Sequence, residues 1–432
     1  MKKLASLKIA ACAATIAMCV ALAESPLPAS KPTTPHGADL TQYVGAKRCA
    51  ECHVAHYDGW KDTAHNKMIR TPTTEGPNRT VLADFSQPSE HRAFELKDVK
   101  WVVGSRWKQR FIGEVDGKDV VFPSQWSVRD KKWMPYTAKT DWWWKDHQDW
   151  KTRSNFNLCA GCHSTGLDTA KETWAELNIS CEACHGPGKD HSATPKLDNI
   201  INPARLSTAR SMDICLSCHQ AGKPPDTNYA WPVGFQPGME LKKFWNGFQH
   251  EEGKEDVEFW HNGTAHKNRV QGNAFAQSVM HDHGIQCSNC HDVHNSRHVA
   301  MTLKDAPSNA LCITCHGPGK DAALKEKTLA DHTHHKDLST GSRCIECHMP
   351  KIGSNAVPGE ARNHTFDFIS PADTIKSGDP NSCNTCHADK TPQWALEALT
   401  KWYPKHKYGS QPQLTASDEL GVGINIGEQL CR

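Results

Sequence analysis

The chain is short of the material from which a protein core is ordinarily made. Only 38% of its 432 residues are apolar, and the mean hydropathy is −0.64, low for a globular chain of this length. Beyond the first two dozen residues, no apolar run approaches the roughly 20 residues that a membrane-spanning helix needs. Charge of one sign is not concentrated either. The 50 Lys and Arg balance 48 Asp and Glu, and no basic block occurs, which argues against nucleic acid as a partner. Tyrosine is scarce, with six copies. Something other than side chains must fill the interior.

Cysteine and histidine are abundant, with 19 and 26 copies. Sixteen of the cysteines fall into eight Cys-x-x-Cys-His motifs. The first four comprise Cys49, Cys52 and His53; Cys159, Cys162 and His163; Cys181, Cys184 and His185; and Cys215, Cys218 and His219. The second four comprise Cys287, Cys290 and His291; Cys312, Cys315 and His316; Cys344, Cys347 and His348; and Cys383, Cys386 and His387. Zinc sites built from cysteine pairs would leave the following histidine unexplained eight times. A thioredoxin-like motif would occur once, and a disulfide framework belongs to much smaller secreted chains. The pattern reads as attachment of eight haem c groups, two thiols adding to the porphyrin and the histidine facing the iron. One flat macrocycle every ~50 residues can replace much of a side-chain core. The chain without haem is therefore expected to fold poorly.

The N-terminus reads as an export signal over 1–23. Lys2, Lys3 and Lys8 precede the apolar run Ile9–Ala23, which closes on Ala21-Leu22-Ala23. A periplasmic or otherwise exported protein without a membrane span is expected. A lipid anchor on Cys12 or Cys19 is the alternative. Loss of the three lysines takes the formal charge from +2 to −1, and haem propionates would make the holoprotein acidic. Cys431 remains as an unpaired thiol, either a tail residue or an intermolecular bridge.

Motif spacing suggests a flexible leader at 24–40, a one-haem module at 41–158 and a haem-dense body at 159–432. Asp116-Gly117 between two β-prone runs predicts a hairpin. Trp101-Val102-Val103 and Gln125–Val128 add further strands to a small antiparallel sheet near 95–136. A helix is expected from Thr391-Pro392 to about Trp402, and another from Cys52 through Trp60 carrying His53. The fold class is mainly α and loop-rich, with that small β element. Gly186-Pro187-Gly188 and Gly317-Pro318-Gly319 read as loops between short helices.

Eighteen histidines lie outside the motifs, enough to supply every sixth iron ligand. His65, His191, His294 and His364 are the favoured distal ligands, His65 serving a neighbouring haem rather than its own. One ligand is expected from His332, His334 and His335. His266, His281 and His283 precede the fifth motif. Met280 and Met349 compete as ligands but read better as packing. Arg92, Arg106, Arg110, Arg269 and Arg362 are propionate partners in waiting. Trp142-Trp143-Trp144 is open to two readings, packing on haem or a docking patch.

Several longer stretches carry a resemblance. Asn157 to Gly166, Cys181 to Gly188 with His191, Ser278 to His294, the His332–His335 cluster leading to Pro350, Asn363 to Phe366 and Asn381 to Lys390 with Trp394 resemble the multihaem cytochrome c-552/4 family. That superfamily includes tetrahaem carriers, hydroxylamine oxidoreductase and pentahaem nitrite reductase. The resemblance implies a mainly α body wrapped around stacked haems with histidine sixth ligands. It does not carry over catalysis. All eight motifs end in histidine, whereas those nitrite reductases typically use a lysine-ligated haem. None of Tyr43, Tyr57, Tyr136, Tyr229, Tyr403 and Tyr408 matches the crosslinked tyrosine of hydroxylamine oxidoreductase.

Two functions follow. The first is an electron-transfer cytochrome working between redox partners, such as quinol-linked membrane cytochromes or other cytochromes. The alternative is a multihaem oxidoreductase acting on a small nitrogen or sulfur compound at one open haem, walled by residues 54–158. A subunit of a cytochrome filament is the third, weaker reading.

Overall fold

Asp116 and Gly117 adopt positive φ of 50° and 75°, the backbone that matches a tight turn to the twist of its strands. The turn joins β3 (Lys108–Val115) to β4 (Lys118–Ser127). With β1 (Ile69–Arg70), β2 (Trp101–Val103) and β5 (Lys132–Pro135) they make a five-stranded antiparallel sheet in chain order. The computed structural model describes residues 38–136, 149–226, 228–317 and 328–404. The N-terminal signal, most of the leader, Cys12, Cys19, Trp142-Trp143-Trp144, Pro318-Gly319, Tyr408 and Cys431 lie outside the described residues.

Gln125–Ser127 belongs to β4 and is not a separate strand. Pro123 interrupts the pattern because it has no N–H for the ladder. The chain accommodates it with a shift of register: Arg110 pairs with Gln125, and Ile112 with Val121.

Alternation along the strands gives the sheet two buried faces. Val102, Phe111, Val120, Phe122 and Trp126 pack with Phe94 and Trp133 on one side. Phe94 stacks on Phe122 at 4.2 Å between ring centres, and such pairs contribute about 0.5–1.5 kcal/mol beyond burial. On the other side Val103, Ile112 and Val121 pack with Ile69, Tyr136 and Cys159. The sheet therefore closes directly over the first cysteine of the second motif.

Elsewhere helices are short. The longest among the described residues are Thr208–His219 and Pro392–Trp402. The latter starts as expected, Thr391 accepting from the Trp394 N–H with Pro392 in the first turn. It buries Ala395, Leu396 and Leu399. Three two-stranded sheets add to the large one, and loops make up much of the rest, so "mainly α" holds only loosely. The expected Cys52–Trp60 helix is also corrected. Helix runs over Ala46–Ala50, then restarts at Val54–Trp60. His53, at φ −109° and ψ 46°, interrupts it and ends the motif in a turn. Among the described residues no helix is long and apolar enough to cross a membrane.

Candidate haem sites

Each motif is wound into a helical turn. The His N–H donates to the carbonyl of the first Cys at 2.9 Å in the first, fifth, sixth and eighth motifs. The third and seventh form the helices Cys181–His185 and Cys344–His348, and the fourth ends Thr208–His219. Residues three and four apart share a face of such a turn, so two thiols and an imidazole point the same way. The second motif differs: Phe156–Ala160 is a π-helical turn leading into Gly161–His163, a rare form often found at functional sites.

Motifs two to seven and Cys383 of the eighth line one connected cavity of about 2330 Å³. Val279, Val299, Leu303 and Ile313 stand on its wall with large exposed apolar surfaces. A flat apolar group would cover them.

Histidines meet across this space in pairs. Centre-to-centre separations are 6.3 Å for His53–His191, 6.2 Å for His65–His219 and 6.1 Å for His185–His294. They are 6.4 Å for His332–His348 and 6.0 Å for His335–His387. Two imidazoles sharing one metal through metal–nitrogen bonds of roughly 2.0 Å stand about 6.3 Å apart by ring centre. The five pairs fit an iron between them. Among the described residues no three or more His, Cys, Asp or Glu side chains converge on a common metal position.

Second contacts hold the rings. Nδ1 of His185 lies 2.7 Å from the Ile201 carbonyl, that of His291 2.9 Å from Ala300, and that of His348 3.3 Å from Phe366. On the facing side, His191 Nδ1 meets Lys196 O and Asn199 Oδ1, both at 3.0 Å. His335 Nδ1 meets Thr333 O at 2.6 Å, and His364 Nδ1 meets Arg362 O at 3.0 Å. A ring that donates from Nδ1 offers its Nε2 lone pair to a metal. Burial favours the neutral form that ligation needs. It pushes His65 and His364 down to about 4. His219 falls to about 3, from burial first and facing His65 second.

Of the favoured distal histidines, His65, His191 and His294 each face a motif histidine, and His65 does reach a distant one. His364 is buried near His291 without a ring contact at that separation. The 332–335 cluster is a correction: it places two rings opposite motif histidines, where one was expected. His334 at φ 54° ends the Leu329–Thr333 helix in a left-handed turn, so the rings on either side diverge. His334 itself stacks on Trp402 at 4.4 Å. His266 is held by Glu255 at 2.9 Å, and His281 packs on Phe275. Arg362 bonds Glu346 and the carbonyls of Ile345 and Met349, and Arg92 pairs with Glu95.

Neighbouring motifs touch. Glu182 of the third accepts from the N–H groups of Val44 and Gly45, just before the first. Gly59 lies against the His294 backbone so closely that a Cβ there would overlap its carbonyl. Cys184 of the third is an electrostatic neighbour of Cys215 of the fourth. Cys162 Sγ of the second lies 3.9 Å from Ser217 O of the fourth. Cys287 Sγ of the fifth is 3.4 Å from Met212 Sδ on the fourth motif's helix. Leu303, bonded to the Cys290 carbonyl at 2.9 Å, is followed by Lys304, which reaches Thr314 of the sixth motif at 3.0 Å. Asn309 takes the Cys344 N–H at 2.8 Å, linking sixth to seventh. Ser382 donates to Cys347 O at 2.7 Å, linking seventh to eighth.

Comparison with known proteins agrees with this chemistry. The family described as "Cytochrome c554 and c-prime" matches residues 48–94 and 126–186, and "Doubled CXXCH motif" matches 281–321. The chain is 24% identical to multiheme cytochrome MtrA of Shewanella baltica (strain OS185) over 242 residues, 56% of this chain and 50% of MtrA. It is 31% identical to multiheme cytochrome MtrC of the same organism over 127 residues, 26% of this chain and 18% of MtrC. It thus spans half the length of one and less than a fifth of the other. In fold it is similar to the crystal structure of outer cell wall cytochrome OcwA, with a TM-score of 0.68 at 20% identity, over 84% of this chain and 87% of that one. The thiol–thiol–imidazole turns and the facing histidine pairs agree with these matches, and over the matched segments the chain is similar to multihaem c-type cytochromes, whose Cys-x-x-Cys-His motifs bind haem c.

Proposed function

We propose that this chain is an exported octahaem cytochrome that passes electrons among its haems and between redox proteins. The observation that carries this reading is the series of adjoining motifs: the first contacts the third, the third lies in electrostatic reach of the fourth, and the fourth to eighth follow in contact, with the second beside the fourth. All 24 motif residues hold haem in this reading. His191, His294, His65, His332 and His335 would hold iron together with His53, His185, His219, His348 and His387, and His364 together with His291.

Haem c supplies one-electron iron chemistry when bound. The chain's own residues supply the rest. Paired neutral imidazoles favour a closed, low-spin site with little rearrangement on electron gain. Backbone carbonyls fix their orientation. Adjoining motif turns would hold neighbouring haems close enough for electron transfer between them, and the apolar wall would keep water out. The haem-poor segment at 41–158 adds the sheet that covers the second site. The resemblance to the c-552/4 family and the named relatives supports this use, with quinol-linked membrane cytochromes or other cytochromes as donor and acceptor. The outer-wall protein OcwA supports an exported location.

A pyridine haemochrome assay with intact mass is expected to give eight haems per chain. Six or fewer, or bound zinc, would overturn the reading.

A further inference from the structure

Two of the facing pairs stand side by side, and a histidine that belongs to neither lies between them. His191 faces His53 at 6.3 Å with ring planes 16° apart, and His294 faces His185 at 6.1 Å with planes 29° apart. His56 meets His294 edge-on, with 4.9 Å between ring centres and 87° between planes. It meets His53 in the same manner at 6.2 Å and 86°. The five rings form one row: His191, His53, His56, His294, His185. The two sites adjoin in their thiols as well, Cys49 of the first lying beside Cys181 of the third.

Local structure puts His56 there. His53 ends its motif outside helical conformation, and helix resumes at Val54. Residues three and four apart share a helix face, so His56, Gly59 and Trp60 lie on one side of Val54–Trp60. That side is docked at two further points. The Trp60 ring N–H donates to the Ile179 carbonyl at 2.9 Å, two residues before the third motif. Gly59 lies against the His294 carbonyl with no room for a side chain. His294 needs such support. Its Nδ1 is 3.5 Å from Asp292 Oδ1, whereas Nδ1 of His191, His335 and His364 finds an oxygen at 2.6–3.0 Å. An edge-on ring resists rotation of the plane it abuts.

We propose that His56 is a positioning residue shared by the first and third sites, fixing the plane of His294 through its edge-on contact and tying that plane to His53. This deepens the electron-transfer reading and rests on it, with His53 and His191 on one iron and His185 and His294 on the next. Groups behind a metal ligand set its orientation and tune the metal. In a low-spin haem the angle between the two imidazole planes governs the g-values and shifts the potential. The ring therefore adjusts the electron step between these two haems. His56 is no ligand itself: three residues from His53, it stands on that histidine's own side of the haem.

The test uses electron paramagnetic resonance on the oxidised holoprotein, with the haem count taken on the same sample. His294→Ala should turn one low-spin signal high-spin and so identify the third haem. His56→Ala should create no high-spin haem and should shift the g-values of that same signal. It should also change the electron-sharing equilibrium between the first and third haems roughly threefold, at the lower end of what a ring contact contributes. His56→Phe, which keeps a flat ring, should restore both readouts. His56 is exposed, so thermal unfolding should be unchanged in both variants. A spectrum and equilibrium that His56→Ala leaves alone overturn the inference. A new high-spin signal in His56→Ala also overturns it, making His56 a ligand. So does a His56→Phe variant that behaves like His56→Ala, because the ring's shape then does not hold His294. Absence of haem from the first or third motif overturns the octahaem reading, and the inference with it.

Discussion

His332 and His335 lie three residues apart yet face different motif histidines, His348 and His387. The cause is local. The Leu329–Thr333 helix ends at His334 in left-handed conformation, and Nδ1 of His335 turns back onto the Thr333 carbonyl. His332→Ala and His335→Ala should therefore each convert one haem, and a different one, from low to high spin. The two single variants should show distinct signals, and the double variant both. If His335→Ala leaves the spectrum untouched, the cluster supplies one ligand, as residue spacing alone suggested.

What could be read without coordinates divides along the same line. The 24 motif residues were legible because attachment chemistry demands a fixed local spacing. So was the hairpin at Asp116-Gly117, because a tight turn demands residues that tolerate positive φ. His65, His191 and His294 were legible as candidates, but which motif histidine each faces was not, because the partners come from remote segments. His65 meets His219 across 154 positions of sequence, and no spacing rule carries that far. That two rings of the 332–335 cluster face motif histidines depended on one residue's backbone angle.

Among the elements, the docking of the Ala46–Ala50 helix onto Cys181–His185 shows what holds two haem sites together. Glu182 is 3% exposed. Its carboxylate accepts from Val44 at 3.0 Å, Gly45 at 2.8 Å and Gly188 at 2.7 Å. Charge-assisted bonds to backbone N–H groups are among the stronger ones, and the partners, if abandoned, remain half-buried at Val44 and Gly45 and buried at Gly188. Glu182→Ala should cost about 2–4 kcal/mol, read by denaturant or thermal unfolding. It should also disturb the first and third haems more than the seventh and eighth, read by their potentials. Glu182→Gln keeps the shape with a weaker acceptor and should cost less. A uniform loss of stability with no bias toward the first and third haems would mean that the carboxylate does not serve as the clamp between these sites.

At the scale of the whole molecule, the contacts among motifs describe a line with one branch. The fourth motif touches the second through Cys162 and Ser217, and the fifth through Met212 and Cys287. Cys184 of the third lies in electrostatic reach of its Cys215. Its helix, Thr208–His219, is the longest among the described residues, a rigid element suited to a junction. Loss of the junction and loss of the branch should therefore differ in kind, although each removes two thiols and one haem. Cys215→Ala with Cys218→Ala should split the line between the first and third sites on one side and the fifth to eighth on the other. Cys159→Ala with Cys162→Ala should leave the line whole. In stopped-flow oxidation of the fully reduced proteins by a redox partner, the branch variant should keep the main kinetic phase of the parent. The junction variant should show a second, slower phase from the stranded haems. Each variant needs its haem count at one below the parent, so that the comparison is of position and not of number. Equal kinetics in the two variants would mean that electrons do not follow the order in which these turns touch.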